Sequence, residues 1–396
     1  MRRTASAPAA WVASRVAAQG LEFGAWVLLA RELGASGVGV LAVASIIARM
    51  LGLIGDWGAA FRGPRDVVVA GRDSPLVRAL VRRRQVVSVT LTALMLLGVG
   101  VSGNLAVAPM VVTVLARGCG RDWIALGESR RLDAALPLLV QGTLVCTAVL
   151  FTPSIFFAAC AIAFGHGAGL LLSLHLNPVS GGRGVAEVAV DSWYLIAGLA
   201  DQALVSSDTI LIVAIQSSVE AGIYASVYRL PLAWLTVIGL CTAAAVPMAA
   251  EAVRSRRVES ADAHRYADRA AIVGAIATIP VTAVAVVVLV PLFGEDFAAG
   301  RDALLILFVA TFFTTASAPY RVLYTAFASD RVVAMATVVA AGVNVAANLA
   351  VIGRWGIEGA AATTLLTQFA MFVFFAGWSR SVRAVSYGDT DIALSR

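Results

Sequence analysis

Apolar residues run along this chain in long blocks separated by short polar breaks, with no sustained alternation of apolar and polar positions. Val86–Val101, Ile272–Phe293 and Met335–Ile352 are free of charge. Each approaches or reaches the roughly 20 residues that cross hydrocarbon as a helix. In lipid every backbone donor and acceptor must be paired within the segment, so such blocks must be helical. Blocks and breaks together predict an all-α, polytopic membrane protein with about twelve spans. These lie near 11–31, 38–56, 86–102, 105–126, 134–151, 155–175, 193–215, 222–247, 271–293, 304–327, 333–352 and 359–378.

Composition agrees. The 396 residues are 60% hydrophobic and 14% charged, against roughly 45–50% and 25% in soluble domains. Too few charges remain to cover a water-facing surface, and no polar stretch is long enough for an appended catalytic module. Cys119, Cys146, Cys160 and Cys241 fall inside apolar blocks at unrelated spacings, which predicts small packing residues and no disulfide framework. Arg2 and Arg3 precede an apolar stretch as in a signal peptide. Arg15 and Glu22 interrupt that stretch, however, and it reads as a retained first span.

The net charge of +6 comes from thirty arginines and no lysine. In a soluble protein it would point to nucleic acid; here it is explained by orientation. With the N-terminus inside, twenty-one arginines fall in cytoplasmic segments, three (Arg31, Arg301, Arg354) fall outside, and six lie within or at the ends of spans. That asymmetry obeys the positive-inside rule and places both termini in the cytoplasm of a cell bearing this chain in its inner or plasma membrane. No nucleic acid is called for. Within the basic segment, Ser74–Val86 reads either as an amphipathic helix on the membrane surface or as a solvated loop.

The Gly- and Pro-rich stretch Asn177–Asp191 divides the spans six and six. RELGASGVGVLAV (31–43) and QSSVEAGIYASVY (216–228) each run from a polar break through a small residue and Gly into a new span. This predicts two pseudo-symmetric bundles, residues 1–176 and 193–396, joined by a linker at 177–192. The arrangement is that of a duplicated transporter with a midplane site.

Charges inside spans cost about 2.5–3.5 kcal/mol each on insertion scales and therefore mark function or firm pairing. Arg15, Gln19 and Glu22, spaced by four and three, share one face of the first span, with Trp26 continuing the stripe. Asp201 and Asp208, seven apart, share a face of the seventh, with Ser207 beside them. We expect Arg15, Gln19, Glu22, Arg229 and Arg321 to line a central cavity, since guanidinium groups bind phosphate bidentately. Asp201 and Asp208 are expected to couple a proton or sodium ion. Arg229 and Arg321 both lie beside a proline (Pro231, Pro319) that frees backbone groups and bends a span. Arg49 is expected to snorkel to a helix end, and Arg117, Arg121 and Asp122 to anchor one. His166, between two glycines, reads as a packing residue, and Asn344 with Asn348 as interhelical hydrogen-bonding glue. No lysine exists for a nucleotide-binding loop, and neither HExxH, GxSxG nor a Cys/His cluster occurs. No catalytic residue, metal or cofactor is called for, and the chain is not read as an enzyme.

LLARELGASGVGVLAV (28–43), GLIGDWGAAFRGPRDV (52–67), SSDTILIVAIQSSVEAGIYASVYRL (206–230) and VNVAANLAVIGRWGIEGAAATTLL (343–366) resemble the polysaccharide-export flippases. These are the O-antigen repeat-unit translocases of the MATE-like multidrug/oligosaccharidyl-lipid/polysaccharide superfamily. The resemblance implies a V-shaped pair of bundles that opens a cationic cavity to each side in turn. It implies an undecaprenyl-pyrophosphate-linked oligosaccharide as cargo, destined for surface polysaccharide such as lipopolysaccharide. Membrane lipids and polysaccharide-assembly proteins are the implied partners. A cation-coupled efflux carrier of the same superfamily is the alternative, with Asp201 and Asp208 binding the drug or the ion. Gly52–Asp56 resembles the loop motif of major facilitator carriers, but the Arg-rich continuation of that motif is absent. A membrane glycosyltransferase would need a larger loop or domain than any present here.

Overall fold

A computed structural model describes residues 6–151, 154–179, 192–254, 260–327 and 330–381. Among them the chain is helical, in twelve α-helices and two 3-10 turns. Nine of the helices among the described residues are long and apolar enough to cross a membrane. Two of these are too long to be single spans. Helix α1 (Ser6–Asp56) has 51 residues and α12 (Asp330–Ser381) has 52, so each would run to about 75 Å if straight, against about 30 Å of hydrocarbon.

Each breaks at one glycine with a backbone that other residues rarely adopt: Gly34 (φ 63°, ψ −178°) in α1 and Gly356 (φ 53°, ψ −137°) in α12. Side-chain pairs show the arms lying side by side. Glu22 and Arg49, on opposite arms of α1, are within electrostatic reach of one another. Asn344 donates a hydrogen bond across α12 to Thr367, 23 residues away (3.3 Å). Counting each arm separately gives eleven crossings. A shorter segment supplies the twelfth: a 3-10 turn (Leu105–Met110) followed by α4 (Val111–Cys119).

The remaining helices are α2 (Ala59–Ala70), α3 (Pro75–Ser102), α5 (Asp122–Gly127), α6 (Arg131–Val149), α7 (Ile155–Leu176), α8 (Ser192–Ile215), α9 (Ser218–Arg254), α10 (Ser260–Phe293) and α11 (Arg301–Phe327), the last preceded by a 3-10 turn at Glu295–Gly300. Two expectations change here. The predicted fourth span, 105–126, is not one helix, because Gly120 turns extended (ψ 147°) and separates α4 from the short α5. Ser74–Val86 is neither a loop nor a separate surface helix. It forms the opening turns of α3, started by Pro75 and capped by the Ser74 hydroxyl, which accepts from the Val77 N–H (3.3 Å). Its Val77, Leu80 and Val81 are buried with Val67 of α2 and with Trp123 and Ile124 of α5. Most of the expected linker (180–191) and the C-terminal tail (382–396) lie outside the described residues.

Helices α1 to α7 pack on one another, as do α8 to α12. Of the first group, α1 alone packs extensively on the second, chiefly on α9 and then on α8. The crossing of α1 and α9 is backbone against backbone. A Cβ on Gly39 would stand 1.9 Å from the Ser218 carbonyl oxygen, and one on Gly222 would stand 1.8 Å from that of Ala35. Ala35, Gly39, Ser218 and Gly222 thus form a small-residue seam of the kind that lets membrane helices approach closely. Beside it Trp26 donates to Ser226 (3.3 Å), Ser36 and Ser218 share a hydrogen bond (3.1 Å), and Arg31 caps the last carbonyls of α10 at Leu292 (2.8 Å) and Pro291. Leu29, Leu41, Tyr224, Phe293 and Phe297 fill the core around the crossing. Ile272, Ile276, Ile279 and Val287 of α10 point outward, as lipid-facing positions should.

Gly222→Ala should therefore destabilise the folded protein by about 1–3 kcal/mol or more, read as a lower midpoint of thermal unfolding in detergent. Gly98→Ala, where a Cβ meets nothing within 4 Å, should leave the midpoint unchanged or slightly raised.

Candidate functional site

The polar stripe on the first arm of α1 faces charges from four other segments. Glu22 lies within electrostatic reach of Arg15 on its own arm, Arg49 on the second arm, Arg117 of α4, His166 of α7 and Arg229 of α9. Its direct partners are neutral amides. Gln141 of α6 donates to one carboxylate oxygen (3.1 Å) and Gln19 to the other (3.4 Å). Gln141 also contacts His166 Nε2 (3.2 Å), while His166 Nδ1 faces the Ile162 carbonyl (2.9 Å). A carbonyl only accepts, so Nδ1 carries the hydrogen and Nε2 accepts from Gln141.

Asp122 also lies within electrostatic reach of Arg15, and Asp56 of Arg117, but Glu22 is the one carboxylate within reach of Arg49 and Arg229, so that pair holds a surplus of positive charge. Arg49 and Arg229 lie close enough to repel, and the Nε atom of each is buried without a hydrogen-bond partner. The Arg229 guanidinium rests on the Trp26 ring at 3.5 Å, a cation–π contact made across the α1–α9 interface. At roughly 2.5–3.5 kcal/mol per charge, such a surplus persists only where water or an anion enters. Gln19 and Arg117 are exposed although they lie on spanning segments beside the cluster, as the wall of a wet cleft would be.

The structure thus brings Arg15, Gln19, Glu22 and Arg229 together. It does not bring Arg321, which is half-buried on α11 and makes no ion pair with these groups among the described residues. Its neighbour Tyr320 instead donates to Asp268 (2.7 Å). Arg49, expected to snorkel, turns inward, and Arg117, expected to anchor a helix end, joins the cluster.

The two aspartates of α8 have different surroundings. Asp201 is exposed. Asp208 is fully buried and accepts from the Tyr224 hydroxyl (2.7 Å), the Asn348 amide (2.6 Å) and the Thr364 hydroxyl (2.9 Å). Asn344 accepts from Asn348 (3.1 Å), and Thr363 donates to the Asn348 side-chain oxygen. Asn344 and Asn348 do bind across helices, as expected of glue, but what they hold is a carboxylate. No arginine or histidine pairs with Asp208 among the described residues. The result is a buried polar cluster between α8, α9 and both arms of α12. Tyr228 lies within reach of both Asp201 and Asp208. No group of three or more His, Cys, Asp or Glu suited to a metal ion occurs among the described residues.

A third network closes the Arg-rich end. Asp56 and Arg84 form a buried ion pair, with side chains 6% and 3% exposed. Arg84 also donates to the Gly120 carbonyl (2.8 Å) and stacks on Trp123 (5.5 Å). Arg121 reaches the Asn177 carbonyl (3.3 Å), and Ser173 joins the Arg121 N–H (2.8 Å) to Asp122. Arg130 holds the Asn177 side chain (2.7 Å). Partial burial opposes the charge of Arg130, but its hydrogen bonds to Asp133 and Glu128 outweigh it and raise its pKa above the ordinary value.

No family model and no curated protein matches the chain. Solved structures do. Lipid II flippase MurJ in an inward closed conformation superposes with a TM-score of 0.72 at 11% identity, covering 94% of this chain and 87% of MurJ. An inward-facing multidrug resistance MATE family transporter of the MOP superfamily gives 0.68 at 14% identity over 93% and 94% of the two chains. An outward-facing MATE transporter gives 0.63 at 15% over 95% and 94%. The likeness is one of fold. This chain is an all-helical, multi-pass membrane protein with the architecture that the MATE transporters and MurJ share.

Replacing Arg84 with Ala would leave Asp56 charged and buried, and should cost about 3–5 kcal/mol of stability. The paired change Arg84→Met with Asp56→Asn should recover most of that loss in the same unfolding measurement.

Proposed function

We propose that this chain is an alternating-access transporter that moves a lipid-linked oligosaccharide across the cytoplasmic membrane, gripping it by an anionic polyprenyl-pyrophosphate headgroup. The observation that carries this reading is the cluster of Arg15, Arg49, Arg117 and Arg229, in which two buried guanidinium nitrogens have no partner and one arginine comes from across the α1–α9 interface. A diphosphate offers bidentate acceptors that suit guanidinium groups, the buried Arg49 and Arg229 among them. That MurJ is a lipid II flippase supports cargo of this chemical kind. Residues 1–176 and 193–396 would be the two moving bodies joined through 177–192, with the Arg-rich end and both termini cytoplasmic, and the α1–α9 seam would part when the other side opens. Surface polysaccharide would be the product, in the company of polysaccharide-assembly proteins.

Asp208 supports a second element, coupling to a cation. A buried carboxylate ringed by the Tyr224 and Thr364 hydroxyls and the Asn348 amide N–H, with no cationic side chain against it among the described residues, is a seat for a proton or, with the hydroxyls turned, for sodium. The same observation favours the alternative of cation-coupled efflux of small molecules. In that case Asp208 would still matter, and the arginines would not.

Surface polysaccharide and accumulated lipid-linked precursor, measured in cells dependent on this chain, separate the two. Arg49→Ala and Arg229→Ala should each lower export about tenfold or more, the loss of one charge-assisted hydrogen bond, while Arg321→Ala should do little. Normal export in both would remove the anion-carrying role. Asp208→Asn should abolish the response of transport to external sodium or pH. A response that persists would take the coupling role away from Asp208.

A further inference from the structure

Glu22 is out of place in a site built to hold an anion. It is the one carboxylate that Arg15, Arg49, Arg117 and Arg229 have in common, yet its hydrogen bonds go to the amides of Gln141 and Gln19. Among the described residues it makes no direct ion pair with any of the four. It sits among the cations without consuming their donors, and the buried Nε atoms of Arg49 and Arg229 stay unpartnered. A carboxylate held there offsets part of the repulsion between those guanidinium groups while the site is empty. It also repels any anion that enters.

Gln141 keeps it there. The Gln141 amide donates to Glu22 Oε1 and to His166 Nε2 (3.1 and 3.2 Å), and His166 is fixed in turn by the Ile162 carbonyl (2.9 Å). A rigid chain through α6 and α7 thus fixes the carboxylate end.

We infer that Glu22 is a tethered stand-in for the substrate's anionic group, occupying the field of the arginine cluster when the transporter is empty and weakening the hold on a bound diphosphate so that it can leave. The inference rests on the anion-carrying reading above and assigns Glu22 the opposite role from the arginines: it competes with the ligand. Gln141 is its positioning residue. An interaction that differs between empty and loaded states is what allows a carrier to cycle, since tight binding alone shifts no equilibrium.

The test uses the full chain in lipid nanodiscs with inorganic pyrophosphate as probe, reading its dissociation constant and the rise in unfolding temperature that it causes. Glu22→Gln removes the charge while keeping the amide-bonded shape. It should bind pyrophosphate roughly tenfold more tightly than wild type, unfold at a lower temperature without the anion, and gain more from it. Export in cells should fall in the same variant, because release is slowed. Glu22→Asp keeps the charge one methylene further back and should fall between the two, which preserves the test if Glu22→Gln folds only with the anion present. Equal or weaker binding by Glu22→Gln, with binding lost in the Arg49→Ala/Arg229→Ala double variant, would overturn the stand-in role and leave the anion site intact. Pyrophosphate that binds neither wild type nor Glu22→Gln would overturn the anion site, and the stand-in with it.

Discussion

Hydrocarbon offers a charge neither water nor counterion, so each charged side chain on a spanning helix must find a partner, reach the interface or border water. This constraint organises the molecule more strongly than apolar packing does. Lipid tails are as apolar as leucine, and burying leucine against a neighbouring helix gains little over leaving it in lipid. The interhelical contacts that stand out are accordingly polar or very close: the Gly39–Gly222 crossing, the Trp26–Ser226 and Ser36–Ser218 bonds, and the Arg31 cap on α10. Charges meet the constraint in three ways. Asp56 and Arg84 pair with each other. Asp208 is ringed by neutral donors. Arg49 and Arg229, beside Glu22, keep buried Nε donors without a hydrogen-bond partner.

How far the sequence reveals this depends on which physical signal each feature leaves. Spans are legible because twenty apolar residues in a row have one stable form in lipid. All twelve expected segments have a helical counterpart, although two pairs are continuous through Gly34 and Gly356. Those joints look like loops in sequence, because a single glycine with unusual backbone angles turns the chain where a longer break would be expected. Helix α2 was invisible for the opposite reason: AAFRGPRDVVVA contains a glycine and a proline and is too polar to be a span, and its stability comes from α3 and α5.

The site was half legible. Arg15, Gln19 and Glu22 announce themselves by helical spacing, since i, i+4 and i+7 fall on one face whatever the tertiary fold. Arg49 and Arg117 do not, because nearness to a helix end reads as snorkelling when the neighbours are unknown. Only the return of α1 on itself at Gly34 and the early end of α4 at Gly120 turn them toward Glu22. Arg321 shows the reverse error. A proline beside an arginine signals a local bend, but nothing local says toward which helix it points. Asn344 and Asn348 carried a usable signal in their four-residue spacing opposite the Thr363-Thr364-x-x-Thr367 run, which two antiparallel arms must bring together.

The cationic cluster and the Asp208 pocket are separate in space, but one helix touches both. On α9, Tyr224 donates to Asp208, and five residues later Arg229 stacks on Trp26 and reaches Glu22. Tyr228, between them in sequence, lies within reach of both aspartates of α8. The same helix carries Ser218 and Gly222 of the α1–α9 seam. An event that turns or shifts α9 must therefore alter the pocket, the arginine cluster and the seam together, since a helix transmits displacement along its length as a rigid body. Coupling in the thermodynamic sense requires an element with two arrangements that both sites bias. Helix α9 has the contacts for that role: a carboxylate at one end of its buried face, guanidinium chemistry at the other, and a backbone crossing that either fits closely or separates.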